Sequence, residues 1–409
     1  MKANNPHKKA KKRRIFYICR DLERALGMEQ NQPDYFIITN ATGFARKIAK
    51  TNKRIILISE KKTLDTREML AHPQTAENIS AGDYVMVFKN TIQIENICLE
   101  HKWQLLNPPA ILAAQVEEKI SQVLWLGSLK KFLPLIKIDK LKNVTWTGTK
   151  FILQYNRSHT GSGTILITSS RQLSKIKKQF PEREARLSKF IDGPMFTNNN
   201  IVWNKKIMTG NINYQITGLK PFTDNKFATV GNDWFLPDKI LTPAQIKQYK
   251  KIAIEVGKKL SKDGWRGLYG IDAVLETKTG RLYLIEINAR QPASTTYESQ
   301  LQQRVRDKKQ SITVFDAHLS SLLNLNSNGL KLIKINNGAQ IIQRVTADIY
   351  HLPKIKINKK NNFNFIQYQN EKIDSDLLRI QTDQGIMSKH KTFNDCGLKL
   401  IKFIKTLKY

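Results

Sequence analysis

The stretch LYLIEINARQPAST, residues 282 to 295, mixes the side chains of a buried strand with three that such a strand does not need. Its leucines and isoleucines are strand formers suited to a core. Glu286 and Asn288 nevertheless lie among them, and Arg290 follows two positions later. A carboxylate, an amide and a guanidinium at alternate positions of an apolar strand indicate that one face of the strand serves a purpose other than packing.

The chain before and within this stretch predicts a hairpin. In GLYGIDAVLETKTGRLYLIEINAR, residues 267 to 290, the predicted turn is 278–280, because glycine is the default residue at the left-handed end of a three-residue loop. That register places Asp272 opposite Glu286, and it places Asn288 opposite a glycine. The polar face then presents two carboxylates and an amide around an open space. The other face presents a continuous apolar core surface of Ile271, Ala273, Leu275, Tyr283, Ile285 and Ile287.

Asp272, Glu286 and Asn288 together predict a magnesium site. Two carboxylates that face each other repel unless a cation lies between them. Carboxylate and amide oxygens are hard ligands that suit Mg²⁺, with Mn²⁺ as an alternative, far better than zinc. The prediction depends on the register, because a four-residue loop would place the two carboxylates on opposite faces. A polar strand face that only meets water is the other interpretation.

A magnesium site of this kind usually also holds the phosphates of a substrate, and residues 158–164, SHTGSGT, form the candidate phosphate loop. Two glycines and several hydroxyls allow its backbone N–H groups to turn toward an anion, while Arg157 and His159 add charge. The loop lacks the G-K-[ST] ending of a P-loop and the third glycine of a dinucleotide fingerprint. An ordinary hairpin tip is the alternative interpretation.

Residues 15–110 alternate short apolar runs, such as DYFIITN at 34–40 and RIILIS at 54–59, with helix-like segments. This alternation predicts an α/β domain with a parallel sheet covered on both faces. Residues 1–14 are predicted to be a basic disordered tail. Residues 326–409 are rich in Lys and Asn, and they predict a small mixed domain.

The net charge is +34, from 68 Lys and Arg against 34 Asp and Glu. Most of these cations are lysines scattered without a recognition motif, so a lysine-rich proteome is favoured over a dedicated nucleic-acid role. The three cysteines form no C-x-x-C pair, which indicates neither a disulfide framework nor a zinc site and favours a reducing cytoplasm. No apolar stretch has the length of a signal-peptide core or of a membrane span.

Three features taken together resemble the ATP-grasp superfamily over residues 110–320. They are the Gly-rich hairpin tip, the segment ARLSKFIDG at 185–193, whose part SKFIDG matches the linker beside the adenine, and the pattern D…E-x-N-x-R on paired strands. The resemblance implies that ATP lies between two small α+β subdomains, here residues 111–325, which follow an α/β domain and precede a small C-terminal α+β region. It also implies a ligase that joins a carboxylic acid to an amine or another nucleophile and converts ATP to ADP and phosphate.

The resemblance also implies roles for individual residues. Asp272, Glu286 and Asn288 match the positions that hold magnesium, and Arg290 matches an arginine that contacts the acyl phosphate or its precursor. If the strand continues, Arg290 lies on the same face about 6 to 7 Å beyond Asn288. The positions that match ATP-binding ones, with the backbone of Lys189 and Ile191 reading the adenine edge, are Gln154, Arg157, His159, Gly161, Ser162, Gly163, Thr164, Lys189, Phe190 and Ile191.

Two positions depart from the family pattern. The strand before the loop usually supplies a lysine to the phosphates, and this sequence has Gln154 there. The position that often carries a glutamate for the ribose is Met195. Either change implies weaker ATP binding or a divergent subfamily. We also expect substrate contacts from GNDW at 231–234 or from residues 291–296, with polar surface loops as the alternative.

The sequence therefore predicts a cytoplasmic ATP-dependent ligase that acts on a small-molecule carboxylate and a small nucleophile. Nucleic acid is not expected as a substrate, and no membrane is expected as a partner. A small-molecule kinase that uses the same nucleotide site is one alternative. A basic nucleic-acid-binding protein with a vestigial ATP site is another. The sequence leaves open the identities of the acid and the nucleophile, and the oligomeric state.

Overall fold

The computed structural model describes residues 13–28, 32–157, 163–306, 310–350, 363–368 and 370–407. Two compact units, Met1–Asn107 and Pro108–Tyr409, divide the chain. The sequence predicted this boundary at residue 110. Each unit has a hydrophobic core of its own, and each is described separately below.

The first unit alternates strands and helices, as the sequence pattern predicted. Its parallel sheet has the order 15–19 between 35–40 and 84–87, with 55–58 and 104–105 at the two edges. Apolar runs bury these strands on both faces, which is typical of a parallel sheet covered by helices. The elements are β1 (Ile15–Cys19), β2 (Tyr35–Asn40), α1 (Gly43–Ala49), β3 (Ile55–Ile58), α2 (Thr66–Leu70), α3 (Pro73–Asn78), β4 (Tyr84–Val87), α4 (Ile92–Glu100) and β5 (Gln104–Leu105), with a 3₁₀ turn at Leu22–Ala25.

The predicted basic tail is shorter than the sequence suggested. Residues 1–12 lie outside the described residues, but Arg14 is bound in place. Its Nη2 atom donates to Asp83 Oδ2 over 2.6 Å, and its guanidinium lies 4.9 Å from the ring centroid of Phe16. The prediction of a solvated tail is therefore wrong for Arg14, because a carboxylate and an aromatic face hold its charge.

The second unit opens with two helices and an antiparallel sheet that we call the small sheet. The first elements are α5 (Ala110–Glu117), α6 (Lys119–Leu126), β6 (Ile136–Lys140), β7 (Phe151–Gln154), β8 (Thr164–Ile167), α7 (Ser170–Gln179) and β9 (Glu184–Lys189), with 3₁₀ turns at Gly127–Phe132 and Leu141–Asn143. The strand order of the small sheet is β6-β9-β7-β8. Its hairpin β7–β8 carries the candidate phosphate loop at its tip.

The remaining elements build a second sheet, which we call the large sheet, and the helices that pack on it. They are β10 (Met195–Trp203), β11 (Lys206–Met208), β12 (Asn213–Thr217), β13 (Thr229–Asp233), α8 (Pro237–Ile240), α9 (Pro243–Lys262), β14 (Gly267–Leu275), β15 (Leu282–Asn288), α10 (Thr295–Arg304), β16 (Ser311–Ile312), α11 (Val314–Leu322), β17 (Lys331–Leu332), β18 (Ala339–Arg344), β19 (Asn364–Gln367), β20 (Asp376–Thr382), β21 (Met387–Lys389), β22 (Thr392–Phe393) and α12 (Asp395–Lys405). The large sheet has the order β15-β14-β10-β12-β13-β18-β20-β19, and β11 lies beside β10.

Residues 326–409, predicted as a small C-terminal α+β region, share a sheet with the residues before them. Strand β18 pairs with β13, and β20 pairs with β18, so both complete the large sheet. Their apolar side chains, among them Ile341 and Ile380, belong to the same core as β10 and β14. A strand's partner depends on hydrogen bonds between residues far apart in the chain, and composition does not reveal those.

Helix α9 covers the apolar face of the large sheet. Thr242 caps its N-terminus in a capping box with Gln245, and Pro243 takes the first helical position. Its buried stripe of Tyr249, Ile252, Ala253, Val256 and Leu260 belongs to the main core. The hydrophobic face of the sheet is therefore closed on this side, and the polar face is left for the site.

Cys19, Cys98 and Cys396 are all free. Within the described ranges, no helix combines the length and the apolar character that crossing a bilayer requires.

Candidate active site

Strands β14 and β15 bring the predicted metal ligands together. Asp272 lies opposite Glu286, and Gly270 lies opposite Asn288, as the sequence predicted. Gly270 keeps this place open, because a Cβ atom there would come within 2.9 Å of Pro292 Cγ and 3.4 Å of Asn288 Cβ. One face of the hairpin therefore carries both carboxylates and the amide.

The turn that leads to this pairing differs from the predicted one. The backbone N–H of Glu276 donates to the carbonyl of Arg281 over 2.9 Å, which closes a four-residue loop and not a three-residue one. Near the turn, Ala273 therefore lies opposite Leu284. Between that pair and Asp272 the register shifts, which leaves Ile285 as the extra residue of a β-bulge. The longer loop alone would place Asp272 and Glu286 on opposite faces of the hairpin, and the bulge returns them to the same face.

The bulge also changes which side chains of β15 meet the core. The sequence placed Tyr283 and Ile285 on the core face, and both are only partly buried. Leu282, Leu284 and Ile287 are the core residues of β15, with exposures of 1%, 0% and 0%. This part of the prediction is wrong, since the apolar period shifts by one residue at the bulge.

Asp272 is a buried carboxyl with an open acceptor. Burial and the neighbouring Glu286 carboxylate raise the pKa of Asp272 to about 6. Its Oδ2 atom accepts from Asn288 Nδ2 over 3.3 Å. Its Oδ1 atom is buried and receives no hydrogen bond from the described residues. Such an atom is costly unless a cation or another donor completes its shell.

Glu286 is neutralised by a residue that the sequence analysis missed. Lys119 Nζ lies 2.7 Å from Glu286 Oε1, and the lysine side chain is only 6% exposed. Burial alone would raise the pKa of Glu286, but the charges of Lys119, Arg290 and Arg186 outweigh it and lower that pKa below its ordinary value. The pKa values of the two facing carboxyls therefore move in opposite directions, that of Glu286 downward and that of Asp272 upward.

Lys119 belongs to the sequence EEK at 117–119, where α5 ends and α6 begins. Each of these charges has a partner in the site region. Glu117 Oε1 accepts from Arg290 Nη1 over 2.9 Å, and Glu118 Oε1 accepts from Arg157 Nε over 2.7 Å. A run of three charges between apolar helices is usually a solvated face, so nothing in the sequence separated this run from a surface.

The side chain of Arg290 contacts one of the predicted metal ligands directly. Strand β15 ends at Asn288, and Arg290 lies in the bend that follows. Its Nη1 atom donates both to Glu117 and back to the side-chain oxygen of Asn288. The predicted separation of about 6 to 7 Å assumed that the strand continues to Arg290, and the strand ends before that residue. The guanidinium is a direct neighbour of the amide.

The candidate phosphate loop is only partly within the described residues, and His159, Gly161 and Ser162 lie outside them. At its base, Gln154 Nε2 donates to Thr164 Oγ1 across the hairpin over 3.1 Å. Gly163 accepts a backbone hydrogen bond from Tyr155. Arg157 is mostly exposed and pairs with Glu118. The assignment of these residues to phosphate stays a prediction.

The segment at 188–193 connects the two sheets, because β9 of the small sheet ends at Lys189 and β10 of the large sheet begins at Met195. Lys189 Nζ lies 2.8 Å from Glu276 Oε1. Lys150 Nζ lies over the ring of Phe190, 4.4 Å from its centroid. A linker between two sheets is the place that the resemblance assigns to adenine, and the roles of Lys189, Phe190 and Ile191 stay predictions.

Asp233, the acidic residue of the segment 231–234 where substrate contacts were expected, is instead bound to the backbone of its own chain. Both carboxylate oxygens of Asp233 accept backbone N–H groups, at 2.8 and 2.9 Å from Phe235 and Leu236 and at 2.6 and 2.9 Å from Ile386 and Met387. Asp233 is fully buried. It fastens the chain before β21 to the end of β13, which is a structural task.

A row of polar side chains crosses the large sheet from the carboxylates. Residues paired side by side across antiparallel strands share a face, and so do residues two positions apart on one strand. Thr197 pairs with both Asp272 and Asn213, and Gln215, two residues beyond Asn213 on β12, begins the pairs that continue to β20. All members of the row after Asp272 are buried: Thr197 beside Asp272, Gln215 beside Asn232, Gln340 beside Asn232, and Gln381 beside Gln340. This polar row gives the sheet a hydrogen-bonding surface next to the metal ligands.

The chain after Arg290 is held by a buried carboxyl. Asn199 donates to Ser294 Oγ over 3.1 Å and also to Glu298, while Asn211 donates to Glu298 over 2.9 Å. Burial raises the pKa of Glu298 to about 7, and hydrogen bonds from Asn211 and Asn199 oppose that rise. Residues 291–296 are therefore an anchored segment and not a free surface loop.

Glu298 makes the stability of the second unit depend on pH. Its pKa in the fold lies above the ordinary value of 4.5, so its stabilising contribution is present at low pH and is lost as the pH rises through about 7. We expect Glu298→Gln to raise the midpoint of thermal unfolding by roughly 2–6 °C at pH 8 and to change it little at pH 5. Equal effects at both pH values would contradict this, and Glu255→Gln on the surface of α9 is the matched control.

The comparisons with known proteins concern the fold. No protein-family model and no curated protein matches the sequence. Carboxyaminoimidazole ribonucleotide synthase from Aspergillus clavatus, complexed with ATP, is similar with a TM-score of 0.63 and 13% identity over 97% of this chain and 98% of that one. N5-carboxyaminoimidazole synthetase from Staphylococcus aureus is similar with a TM-score of 0.64 and 12% sequence identity, over 97% of each chain. L-amino acid ligase from Bacillus licheniformis is similar with a TM-score of 0.63 and 13% sequence identity, over 97% of this chain and 98% of that one. At such identities the likeness establishes the fold alone.

Proposed function

Because the chain has the ATP-grasp fold, we propose that it is an ADP-forming ligase. It activates a small-molecule carboxylate as an acyl phosphate and transfers the acyl group to an amine or another nucleophile. The carboxylate oxygen attacks the γ-phosphorus of ATP, and the bond to the β–γ bridging oxygen breaks, which releases ADP. The nucleophile then attacks the acyl carbon, and phosphate leaves.

The observation that supports this proposal best is the arrangement on β14 and β15. Asp272, Glu286 and Asn288 share one face, the Oδ1 atom of Asp272 is buried without a donor among the described residues, and Arg290 adjoins Asn288. Charge is therefore concentrated where a metal–phosphate group and a developing oxyanion would both need it.

The three side chains fit magnesium by their chemistry. They offer hard oxygen ligands, and the described residues contain no cluster of three or more His, Cys, Asp or Glu that would favour another metal elsewhere. Asp272, Glu286 and Asn288 would hold Mg²⁺, or Mn²⁺ in its place. When bound, the metal neutralises charge on the β- and γ-phosphates. Lys119 forms an ion pair with Glu286, and Arg290 donates a hydrogen bond to the side-chain oxygen of Asn288.

The cations of the site have separate tasks in this proposal. Lys119 is close enough to Glu286 to exchange that carboxylate for a phosphate oxygen of the nucleotide. Arg290 presents a planar fork beside the ligands and stabilises the oxyanion that forms when the nucleophile attacks the acyl carbon. Glu117 holds the guanidinium of Arg290 in that orientation.

The polar row supports a small polar substrate. Its amide side chains are largely hydrogen-bonded to one another, for example Gln340 Nε2 to Asn232 Oδ1 over 2.9 Å and Asn232 Nδ2 to Asn213 Oδ1 over 2.8 Å. Similar folds are known in complex with ADP and 5-aminoimidazole ribonucleotide, or as an L-amino acid ligase. We propose that the acid or the nucleophile lies along this row, next to Arg290.

The proposal is tested by product analysis. The purified protein is incubated with ATP, Mg²⁺, hydroxylamine and a panel of small carboxylates, and both ADP and hydroxamate are measured. We expect ADP and hydroxamate in equal amounts for the true acid, because hydroxylamine captures an acyl phosphate. A stable phosphate ester without hydroxamate would instead indicate the kinase reaction. If none of the acids causes ADP release, the ligase proposal is contradicted.

The three free thiols support the reducing cytoplasm as the compartment of the proposed ligase.

A further inference from the structure

Arg186 lies beside the position where the family pattern lacks its lysine. It is in the middle of β9, and it pairs directly with Gln154 on the neighbouring strand β7. Residues that pair side by side in an antiparallel sheet present their side chains on the same face. Arg186 therefore faces the same space as Gln154, which itself pairs with Thr164 at the base of the phosphate loop.

The guanidinium of Arg186 is buried with few acceptors. Its exposure is 1%. Nη1 donates to Gln122 Oε1 over 3.3 Å, and Nη2 donates to the carbonyl of Ile285 over 3.2 Å. Its Nε atom is buried and has no hydrogen-bond partner among the described residues. Two neutral acceptors are few for a full positive charge with five N–H donors.

Glu286, the acidic side chain whose charge acts on Arg186, already has an ion-pair partner. Burial lowers the pKa of Arg186 to about 10, and the charge of Glu286 opposes that change. Glu286, however, forms its ion pair with Lys119. Within the described residues Arg186 has no ion pair of its own, so a fixed positive charge points into the site region without an anion of its own.

We propose that Arg186 is a phosphate-binding cation of this nucleotide site, in addition to Lys119, and takes the role that Gln154 cannot fill. The inference rests on the proposed function, since it requires that the site bind a nucleoside di- or triphosphate. A phosphate group supplies the anionic oxygens that the buried N–H donors lack, and a guanidinium can bind two of them at once. The cation then lies on β9 instead of β7, on the same face of the small sheet as the lysine of the family pattern.

Arg186 also touches the bulge, which offers a structural alternative. Its bond to the Ile285 carbonyl could stabilise the bulge that aligns Asp272 with Glu286. Loss of that support would lower the affinity for every ligand of the site to the same degree. Loss of a phosphate contact would lower the affinity only for ligands that carry phosphate. The experiment must therefore compare two ligands that differ in phosphate alone.

The test measures the binding of MgADP and of adenosine by calorimetry to the full chain. For Arg186→Gln we expect MgADP to bind about 10- to 100-fold more weakly, the range of a lost charge-assisted contact, while adenosine affinity changes less than about twofold. In the double variant Gln154→Lys/Arg186→Gln, the lysine returns to its usual strand, and we expect at least about tenfold recovery of MgADP affinity. Arg183→Gln, three residues earlier, removes the same charge from an exposed position and is the control.

The single variant Gln154→Lys keeps the inference testable if Arg186→Gln fails to fold. With Arg186 already in the phosphate position, we expect the added lysine to change MgADP affinity by less than about threefold. An increase of tenfold or more would show that the position is vacant in the natural protein and would overturn the inference. So would equal losses for MgADP and adenosine in Arg186→Gln without recovery in the double variant. If the natural protein binds no MgADP, the proposed function fails and the inference fails with it.

Discussion

Replacing Glu286 by glutamine should lower the rate of magnesium-dependent ADP release ~1,000-fold or more, the range expected when preorganised charge at a reacting phosphoryl group is lost. The glutamine keeps the shape of the side chain but has no charge to offer a metal. It also leaves Lys119, which is 6% exposed, without its ion-pair partner. We therefore expect a loss of stability of roughly 1–3 kcal/mol, less than for a fully buried pair because Glu286 is 33% exposed.

Activity and stability can be separated in this variant. In the double variant Lys119→Met/Glu286→Gln no lysine is left without its ion-pair partner, so the midpoint of thermal unfolding should recover in part while activity should not. Glu255→Gln, which breaks an ion pair with Lys258 on the surface of α9, should leave both quantities unchanged. Normal magnesium-dependent turnover of Glu286→Gln would exclude this carboxylate from the metal site.

Replacing Arg290 by lysine should lower hydroxamate and amide yields about 100-fold, the size of effect seen when one oxyanion donor is removed. A lysine keeps the charge but lacks the planar guanidinium, whose Nη1 atom contacts both Glu117 and Asn288. MgADP binding should change less than about threefold, because the nucleotide phosphates meet other cations. The measurements are hydroxylamine trapping with the true acid and calorimetry with MgADP.

The matched control for Arg290 is Arg281→Lys. Arg281 lies at the start of the same hairpin strand, and its Nη2 atom donates to the carbonyl of Lys131 on the surface. We expect this variant to retain full activity. A kinetically silent Arg290→Lys, measured with the true acid and nucleophile, would remove Arg290 from the second step. The ligase itself would then need another residue at the acyl group.

The sequence was sufficient to identify the polar face of the hairpin. Asp272, Glu286 and Asn288 interrupt an apolar pattern at alternate positions, and alternation is a local property of an extended chain. Their pairing was also predicted correctly, although the predicted turn was one residue too short. The error and the unforeseen bulge at Ile285 cancel each other. A bulge has no strong local signal when the inserted residue is as apolar as its neighbours.

The charges that complete the site could not be identified from the sequence. Lys119 and Glu117 lie in a charged run that is typical of a solvated surface, and Arg186 lies just before the predicted linker at 188–193. Each acquires its meaning from partners that are distant in the chain, such as Glu286 for Lys119 and Gln154 for Arg186. The same reason applies at the C-terminus, where β18 and β20 join the large sheet.

The sequence by itself determined the parallel sheet of the first unit, the two hairpins of the second, and the residue types of the metal face. These follow from hydrophobic period, turn residues and side-chain chemistry, which act over a few neighbouring positions. Only the tertiary structure decided which cations neutralise Glu286, how close Arg290 lies to Asn288, and that Arg186 faces the space beside Gln154. These are contacts between distant segments, and they arise because burial in a common core leaves each charge only the partners that packing brings to it.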